Sequence, residues 1–455
     1  MKLRRTDGYH FLFLGALLIF HICLLLLTKF TAWPEMLIYP FLMEKGFKLY
    51  SDIIQPYMPI LPYTLLYWFH LSGFSVWSLR IFTILLILIS DVLFIKIANN
   101  IFKLKTSLTA LLIFIGFQVY FEGNGLWFDL FATPFMLFSA LIFIRVKTPK
   151  FLDIIWIGIL LGTSFIVKQS TAWVILGICC LLVGGRKIKL VGIILFVSLI
   201  PVFLVMVIFG FVPIYQWALH YPFFEMTKSP GFMVLPSFKQ LILIIIFFSP
   251  VFPALSSKNP AVPVLITFFL GSLGFLIPRF AMFHFQPLVP YFVLLLCIAF
   301  SEHSDKLFRL FIGLYIIFSL CLLTKFFLQN TLRPVRFFEP EVYAWAALIK
   351  QKIPSSKPIF FYNVIANEIL LTGFTPVKPW VDNFPWYMEI PGIQNRIIDE
   401  IEVESTEWVI AAPFKSEGKY VPGSYKPAEI DVYLHQKYIK VDNISPELEF
   451  WKRIR

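Results

Sequence analysis

Charged residues are scarce in this chain, and their scarcity excludes most classes of soluble protein. Asp, Glu, Lys and Arg make up 15% of the 455 residues, whereas hydrophobic residues make up 58% and aromatic residues 18%. Soluble domains carry roughly 25% charged and about 45–50% apolar residues. This imbalance excludes a soluble enzyme, a disordered chain and a nucleic-acid-binding protein, and it predicts a polytopic membrane protein.

Cysteine is also scarce, and its placement excludes a disulfide framework. All five cysteines lie inside apolar runs, and the last 125 or so residues have none: Cys23, Cys179, Cys180, Cys297 and Cys321. The spacing of these cysteines matches neither a disulfide framework nor a metal site. The sequence also lacks a glycine-rich nucleotide-binding loop. No cofactor is therefore expected, and a divalent cation is left open as an alternative.

The basic residues concentrate in the apolar part of the chain. Up to residue 330 there are 24 Lys and Arg residues against 11 Asp and Glu residues, and beyond it there are 15 against 16. Basic loops orient membrane helices because they stay on the cytoplasmic side. We therefore predict a transmembrane domain over residues 1–330 and a charge-balanced domain over residues 331–455.

Eleven apolar runs predict an all-α polytopic membrane bundle. Several are shorter than the ~20 residues that a straight span needs, so these are expected to be buried or to thin the bilayer. The runs are Tyr9–Thr28, Val76–Ala98, Leu104–Tyr120, Leu130–Arg145, Phe151–Val167, Thr171–Gly184, Leu190–Phe211, Leu241–Leu255, Ala261–Pro278, Pro287–Phe300 and Leu307–Leu328.

The basic clusters between the runs predict the orientation. If Ile60–Leu71 is a helix on the outer surface instead of a span, the clusters of the later loops fall on the side of the N-terminus. The predicted protein therefore lies in the plasma (inner) membrane with its N-terminus in the cytoplasm. Residues 29–75 then form an outer-face loop, and the C-terminal domain is extracytoplasmic.

The C-terminal domain is predicted to be a small α/β domain. Ala344–Ile353 and Ala366–Leu371 have helical patterns, whereas Pro358–Tyr362 and Glu407–Ala412 have strand patterns, with Pro and Gly at the joins.

The first outer loop carries an ordered set of motifs. They are the acid Glu35, Tyr39 one turn later, a Gly-x-x-x-Tyr-x-Asp turn at residues 46–52, Pro59, Pro62, and Arg80 at the start of the second run. This order resembles the first outer loop of the GT-C membrane glycosyltransferases. That superfamily includes the protein O-mannosyltransferases, the lipid A aminoarabinose transferase and the Rgt-like sugar transferases.

Three later segments match the same superfamily in the same order: Asn124–Asp129, Gly162–Lys168 and Arg279–Pro290. The resemblance covers about residues 9–328. The chain differs from the family in two places. Its first-loop acid is Glu35 where Asp is usual, and Tyr57 and Met58 stand where the aminoarabinose transferase has an acidic-basic pair.

The resemblance implies a polyprenyl-phosphate sugar as donor, drawn from the lipid bilayer, and an extracytoplasmic acceptor that receives the sugar with inversion. Nucleic acid is not an expected partner. The implied site residues are Glu35, Asp52 and Asp129 for catalysis, Arg279, Lys168 and His284 for the donor phosphate, and Tyr39, Tyr50 and His220 for substrate binding.

Most of these residues have a structural alternative. Glu35 could favour a helix N-terminus and Asp129 could cap one, while Asp52 could be a turn residue. Lys168 has no acid near it in the sequence and could extend to the membrane interface. His284 could pack among phenylalanines.

Two other functional classes compete with a transferase. A transporter or lipid-linked-sugar flippase would fit Asp91 and Lys96 inside a predicted span. The polar residues gather toward the outer face, however, and paired halves are absent from the sequence. A non-catalytic assembly subunit is the third class.

Overall fold

The computed structural model of the chain describes residues 5–146, 149–229, 231–302, 305–353, 358–364, 366–412, 425–445 and 448–454. The chain folds into two compact units. The first unit comprises Met1–Phe30, Arg80–Val205 and Leu235–Arg333, and the second comprises Thr31–Leu79, Met206–Val234 and Pro334–Arg455. The outer-face loop and the segment from residue 206 thus belong to the same unit as the C-terminal residues.

The fold is mostly helical. The α-helices are α1 (Arg5–Leu27), α2 (Pro34–Glu44), α3 (Ile60–Ser72), α4 (Val76–Ile101), α5 (Leu104–Tyr120), α6 (Phe128–Arg145), α7 (Phe151–Phe165), α8 (Ala172–Gly184), α9 (Ile188–Phe209), α10 (Phe211–Pro213), α11 (Phe238–Phe248), α12 (Val251–Ala254), α13 (Val262–Ser272), α14 (Val289–Glu302), α15 (Lys306–Asn330), α16 (Pro340–Lys352), α17 (Asn367–Thr372), α18 (Pro385–Met388), α19 (Ile393–Val403) and α20 (Ala428–Lys437).

Other helical segments lie between them. They comprise 3-10 turns at Gln169–Thr171, Met226–Lys228, Leu273–Leu276 and Met282–Phe285, and a π-helix at Ile214–Glu225.

Within the described residues, α4, α6, α9 and α15 are long and apolar enough to cross a membrane. Seven shorter apolar helical segments accompany them, and together the two sets place a helix at each of the eleven predicted runs. The predicted all-α bundle is confirmed, whereas the number of helices that cross the bilayer stays a prediction. Ile60–Leu71, predicted as a surface helix, forms α3.

Polar side chains from later helices and loops bind the C-terminal end of α1. The last carbonyls of α1 have no partner within the helix. Arg80 donates from Nη2 to the Leu26 carbonyl at 2.8 Å, and Asn124 donates from Nδ2 to the carbonyls of Leu25 at 2.8 Å and Thr28 at 3.1 Å. Arg80 and Asn124, identified above as family motifs, therefore cap α1.

Replacing Asn124 by alanine should destabilise the protein by about 0.5–1.5 kcal/mol, because it removes a donor that the buried carbonyls of Leu25 and Thr28 share with Arg80. The measurement is the midpoint of thermal unfolding in detergent. The control is Asn100→Ala, since the Asn100 side chain is exposed and donates to the Lys96 carbonyl of its own helix. An equal effect of the two substitutions would contradict the capping role.

The second unit contains α2, α3 and a four-stranded sheet. Strands β1 (Phe360–Tyr362), β2 (Trp408–Ala411), β3 (Tyr438–Ser445) and β4 (Leu448–Arg453) are ordered β1-β2-β4-β3. The β1–β2 pair is parallel, and the other two pairs are antiparallel. The four elements that the sequence predicts beyond residue 330 are found as α16, β1, α17 and β2. The final hairpin, β3 and β4, was not predicted.

Candidate active site

Helix α2 presents an acid and a tyrosine one turn apart. Pro34 starts the helix, where its missing amide hydrogen is not needed. Glu35 lies in the first turn and Tyr39 four residues later, so the two side chains share a face. The N-cap residue, Trp33, makes no side-chain capping bond.

Both side chains carry buried polar atoms without a hydrogen-bond partner. Among the described residues, neither Glu35 Oε2 nor the Tyr39 hydroxyl is bonded. A buried polar atom without a partner costs about 1–3 kcal/mol. A ligand bound beside α2 would supply partners for these two atoms, which lie one helical turn apart.

The Glu35 carboxyl group has an unusual pKa. Burial raises its pKa from the usual 4.5 to about 7, and a hydrogen bond from the residue's own backbone amide offsets part of that rise. Asp382 behaves in the same way: burial and the Glu35 charge raise its pKa well above the usual range. Asp382 was not among the predicted site residues. The signal in the sequence is an acid set among aromatics, in Trp380-Val-Asp-Asn-Phe384.

Two other residues predicted in the first outer loop already have protein partners. The Asp52 carboxylate accepts from the Lys48 amide at 3.1 Å and pairs with Lys378 at 3.2 Å. The Tyr50 hydroxyl donates to the Tyr57 carbonyl at 2.8 Å. Asp52 therefore acts as a turn residue, which is the structural alternative given in the sequence analysis. Its role in orienting the substrate stays a prediction.

His220 lies in the π-helix at Ile214–Glu225. Its ring stacks with Tyr215 and Phe224, at centroid distances of 5.9 and 5.4 Å, and its Nε2 lies 3.7 Å from a carboxylate oxygen of Glu225. Half-exposed between aromatic rings, His220 offers a stacking surface.

The first unit brings together three predicted residues that are far apart in the sequence. Lys168 Nζ lies 2.8 and 2.7 Å from the two carboxylate oxygens of Asp129. His284 Nδ1 lies 3.0 Å from Asp129 Oδ1 and 3.1 Å from Lys168 Nζ. Lys168 thus has an acid partner that the sequence does not place near it, and Asp129 does not cap α6, whose N-cap is Trp127.

Helix packing positions this cluster. Asp129 lies in the first turn of α6, Lys168 follows α7, and His284 lies in the 3-10 turn Met282–Phe285. A Cβ atom on Gly162 would lie 2.4 Å from the Ser198 carbonyl oxygen, so glycine is needed for α7 to approach α9 this closely. The glycine of the Gly162–Lys168 motif thus permits the packing that places Lys168.

The charges in the cluster are strongly desolvated. Asp129 is fully buried, and Lys168 and His284 are 8% and 7% exposed. Burial lowers the pKa of Lys168, and the Asp129 carboxylate opposes that shift. Burial also lowers the pKa of His284. The Asp129 carboxylate opposes that shift, whereas the positive charges of Lys168 and Arg279 lower the pKa further. His284 is therefore neutral at physiological pH, and the Arg279 charge acts on it.

A second polar network lies among α1, α4 and α5. His21 Nδ1 lies 2.8 Å from Asp91 Oδ2, and His21 Nε2 lies 3.1 Å from Gln118 Oε1. Lys96, in contrast, is exposed. Asp91, on which the transporter hypothesis partly depends, is thus bonded to His21 of α1, which in turn bonds Gln118 of α5. Across the described residues, no group of three or more His, Cys, Asp or Glu side chains is arranged to hold a metal ion.

Comparison with known proteins gives both a family model and fold relatives. The model of the dolichyl-phosphate-mannose-protein mannosyltransferases matches residues 55–211, a segment that includes Asp129 and Lys168 but not Glu35 or Arg279. A search of curated proteins finds no match.

Solved structures resemble the chain over most of its length. ArnT from Cupriavidus metallidurans bound to undecaprenyl phosphate has a TM-score of 0.64 at 12% identity, with 98% of each chain covered. The mycobacterial arabinofuranosyltransferase AftD has a TM-score of 0.54 at 13% identity, covering 97% of this chain and 40% of its own. The oligosaccharyltransferase AglB from Archaeoglobus fulgidus has a TM-score of 0.53 at 10% identity, covering 90% and 70%.

The chain therefore has the GT-C fold, as the resemblance to that superfamily implied. Its membrane character agrees with its four long apolar helices.

Proposed function

We propose that this protein is a GT-C glycosyltransferase that moves a sugar from a polyprenyl-phosphate donor to an extracytoplasmic acceptor. The observation that carries the proposal is the Glu35 carboxyl group, with one buried oxygen that lacks a partner and a pKa of about 7. A general base works best when its pKa lies near the operating pH.

Glu35 acts as the base. Its carboxylate takes the proton of the acceptor hydroxyl while that oxygen attacks the anomeric carbon, and the bond from this carbon to the phosphate oxygen breaks. The phosphate leaves with the bonding electron pair, so one proton and one sugar are transferred. Attack opposite the phosphate inverts the anomeric configuration, as in inverting glycosidases.

Lys168, His284 and Arg279 are proposed to hold the donor phosphate. Cations and hydrogen-bond donors at a developing phosphate charge stabilise the transition state. Asp129 binds Lys168 and His284 directly, which supports a positioning role for its carboxylate. Tyr39, Tyr50 and His220 stay proposed contacts of the substrates.

An apolar cavity of about 110 Å³ in the first unit supports a lipid donor. Its lining is almost entirely apolar and aromatic, and it includes Tyr120, Phe121, Phe247, Phe285 and Leu322. The fold relative ArnT was solved with undecaprenyl phosphate. The predicted orientation would place the reacting head group at the outer face of the plasma membrane.

The test of this function uses the full-length protein in vesicles. Polyprenyl-phosphate sugars and the corresponding nucleotide sugars are supplied in turn with extracts of envelope acceptors. We expect release of polyprenyl phosphate together with a glycosylated acceptor for at least one lipid-linked sugar and for none of the nucleotide sugars. Transfer from the nucleotide sugars alone would contradict the proposal.

The rate of transfer should rise with pH through about 7, because Glu35 acts as a base only when it has lost its proton and its pKa is about 7. Below that pH the rate should fall by about tenfold per pH unit, as for a single essential base. Initial rates measured from acidic to neutral pH check this limb. A rate that stays constant down to pH 5 would contradict Glu35 as the base.

A further inference from the structure

Gln286 is a buried glutamine that the proposed reaction does not use, and it binds the end of helix α5. The last carbonyls of an α-helix have no partner within the helix. Gln286 donates from Nε2 to the carbonyls of Gln118 at 3.0 Å and Phe121 at 2.8 Å, at the C-terminal end of α5. The residue is 3% exposed, so these bonds are shielded from water. Two segments 168 residues apart in the chain are thereby tied together.

The end of α5 is itself fixed by further hydrogen bonds. The Gly123 amide donates to the Gln118 carbonyl at 3.1 Å, and Gln118 Nε2 donates to the Gly123 carbonyl at 3.1 Å. A Cβ atom on Gly123 would lie 2.2 Å from Gln118 Nε2, so glycine is needed for this turn. The Gln118 side chain also lies 3.1 Å from His21 Nε2, and His21 is bonded to Asp91. Gln286 is therefore attached to a fixed point of the first unit.

The 3-10 turn before Gln286 places two neighbouring side chains in different surroundings. His284 Nδ1 lies 3.0 Å from Asp129 Oδ1 in the charge cluster. The Phe285 ring packs against the Phe121 ring at a centroid distance of 4.9 Å, and both residues line the apolar cavity of about 110 Å³. One turn thus joins the charge cluster to the apolar cavity.

The two bonds of Gln286 add direction to the packing of this turn. Ring contacts hold it as well, since Phe283 meets Trp127 edge-on at a centroid distance of 5.6 Å. Hydrophobic packing is non-directional, whereas hydrogen bonds require a narrow range of distances and angles. Gln286 therefore fixes the position of the turn relative to the end of α5.

We propose that Gln286 is a positioning residue of the transfer reaction: by tying the Met282–Phe285 turn to the end of α5, it holds His284 in place for the donor phosphate and keeps Phe285 at the apolar cavity. The proposal rests on the proposed function, in which His284 holds the phosphate and the cavity takes the lipid. The phosphate of such a donor is attached directly to the apolar chain. The residues that bind the two parts must therefore keep a fixed spacing, to within about 0.5 Å.

The test measures the affinity of the full-length protein in detergent for labelled polyprenyl phosphate. Gln286→Met keeps the length of the side chain and removes both donors. We expect Q286M to bind polyprenyl phosphate about tenfold more weakly, as for the loss of one hydrogen bond to a charged group. Its affinity for polyprenol, which has no phosphate, should stay within about twofold. Gln329→Met is the matched control, since Gln329 is an exposed glutamine of the same unit.

The same measurement with His284→Ala separates positioning from a general effect on the fold. If Gln286 acts through His284, the double variant Q286M/H284A should bind no more weakly than H284A. A further tenfold loss in the double variant, an equal loss for polyprenol, or an unchanged affinity in Q286M would overturn the proposal. If Q286M does not fold, Gln286→Asn replaces it in the cycle, and loss of folding in both variants would show a purely structural role and overturn the proposal.

Nuclear magnetic resonance of the histidine-labelled protein gives a readout that needs no lipid. The His284 ring signal is identified by its absence in H284A. It should shift in Q286M and stay unchanged in Q329M, and an unshifted signal in Q286M would overturn the proposal. If the unmodified protein does not bind polyprenyl phosphate, the proposed function fails, whereas the ring signal still reports whether Gln286 positions His284.

Discussion

Replacement of Glu35 by glutamine is expected to lower the rate of sugar transfer by about 10²–10⁴-fold, the usual contribution of a general base. Glutamine keeps the size and hydrogen-bonding shape of the side chain but cannot take the acceptor proton. Donor binding should change little, because the proposed contacts of the phosphate are Lys168, His284 and Arg279. The measurement is the initial rate of polyprenyl phosphate release in vesicles, alongside donor affinity.

The control is Glu44→Gln on the same helix. Glu44 pairs with His70, and its side chain is 43% exposed, so its replacement should leave the rate within about twofold. Glu35→Asp should retain part of the activity, because the carboxylate is kept on a shorter side chain. A similar loss in E35Q and E44Q would point to a general effect on folding and contradict the role of Glu35.

Removal of the Asp129 carboxylate should destabilise the protein by about 3–5 kcal/mol, because it leaves the buried Lys168 cation without its counter-charge. Replacing Lys168 by methionine should have a similar effect, because it leaves the buried Asp129 carboxylate without its cation. The double variant D129A/K168M should be less destabilised than the sum of the single variants, since neither charge is then left unpaired. Unfolding in detergent measures the three values.

The ion pair between Lys352 and Asp442 is the control for this cycle. Its side chains are 40% and 53% exposed, so Asp442→Ala should change stability by less than about 1 kcal/mol. Additive effects of D129A and K168M would show that the two charges are not energetically coupled, and would contradict the geometry described here.

The helices were predictable because sustained apolar runs in a bilayer leave the backbone few alternatives. A helix lies at each of the eleven runs. The charge cluster was only partly predictable. Asp129, Lys168 and His284 were each identified by family resemblance, but their mutual contacts join residues 39 and 155 positions apart. Sequence spacing carries no information on contacts at that range.

Two features depended on tertiary structure alone. Arg80 and Asn124 were recognised as motif residues, yet their bonds to the end of α1 arise from packing between helices. Asp382, whose pKa is raised by burial and by the Glu35 charge, lies beyond the residues that the family resemblance covers. Glu35 is nearly 350 residues earlier in the chain, so the effect of its charge on the pKa of Asp382 could not be predicted from sequence spacing.

The most direct test of the proposed function follows one labelled polyprenyl-phosphate sugar in vesicles that contain either the unmodified protein or E35Q. The account predicts that both proteins bind the donor equally. It further predicts that the unmodified protein releases polyprenyl phosphate and glycosylated acceptor in equal amounts, and that E35Q releases neither at a comparable rate. Equal release by the two proteins, or movement of the intact lipid-linked sugar across the bilayer without release, would contradict it.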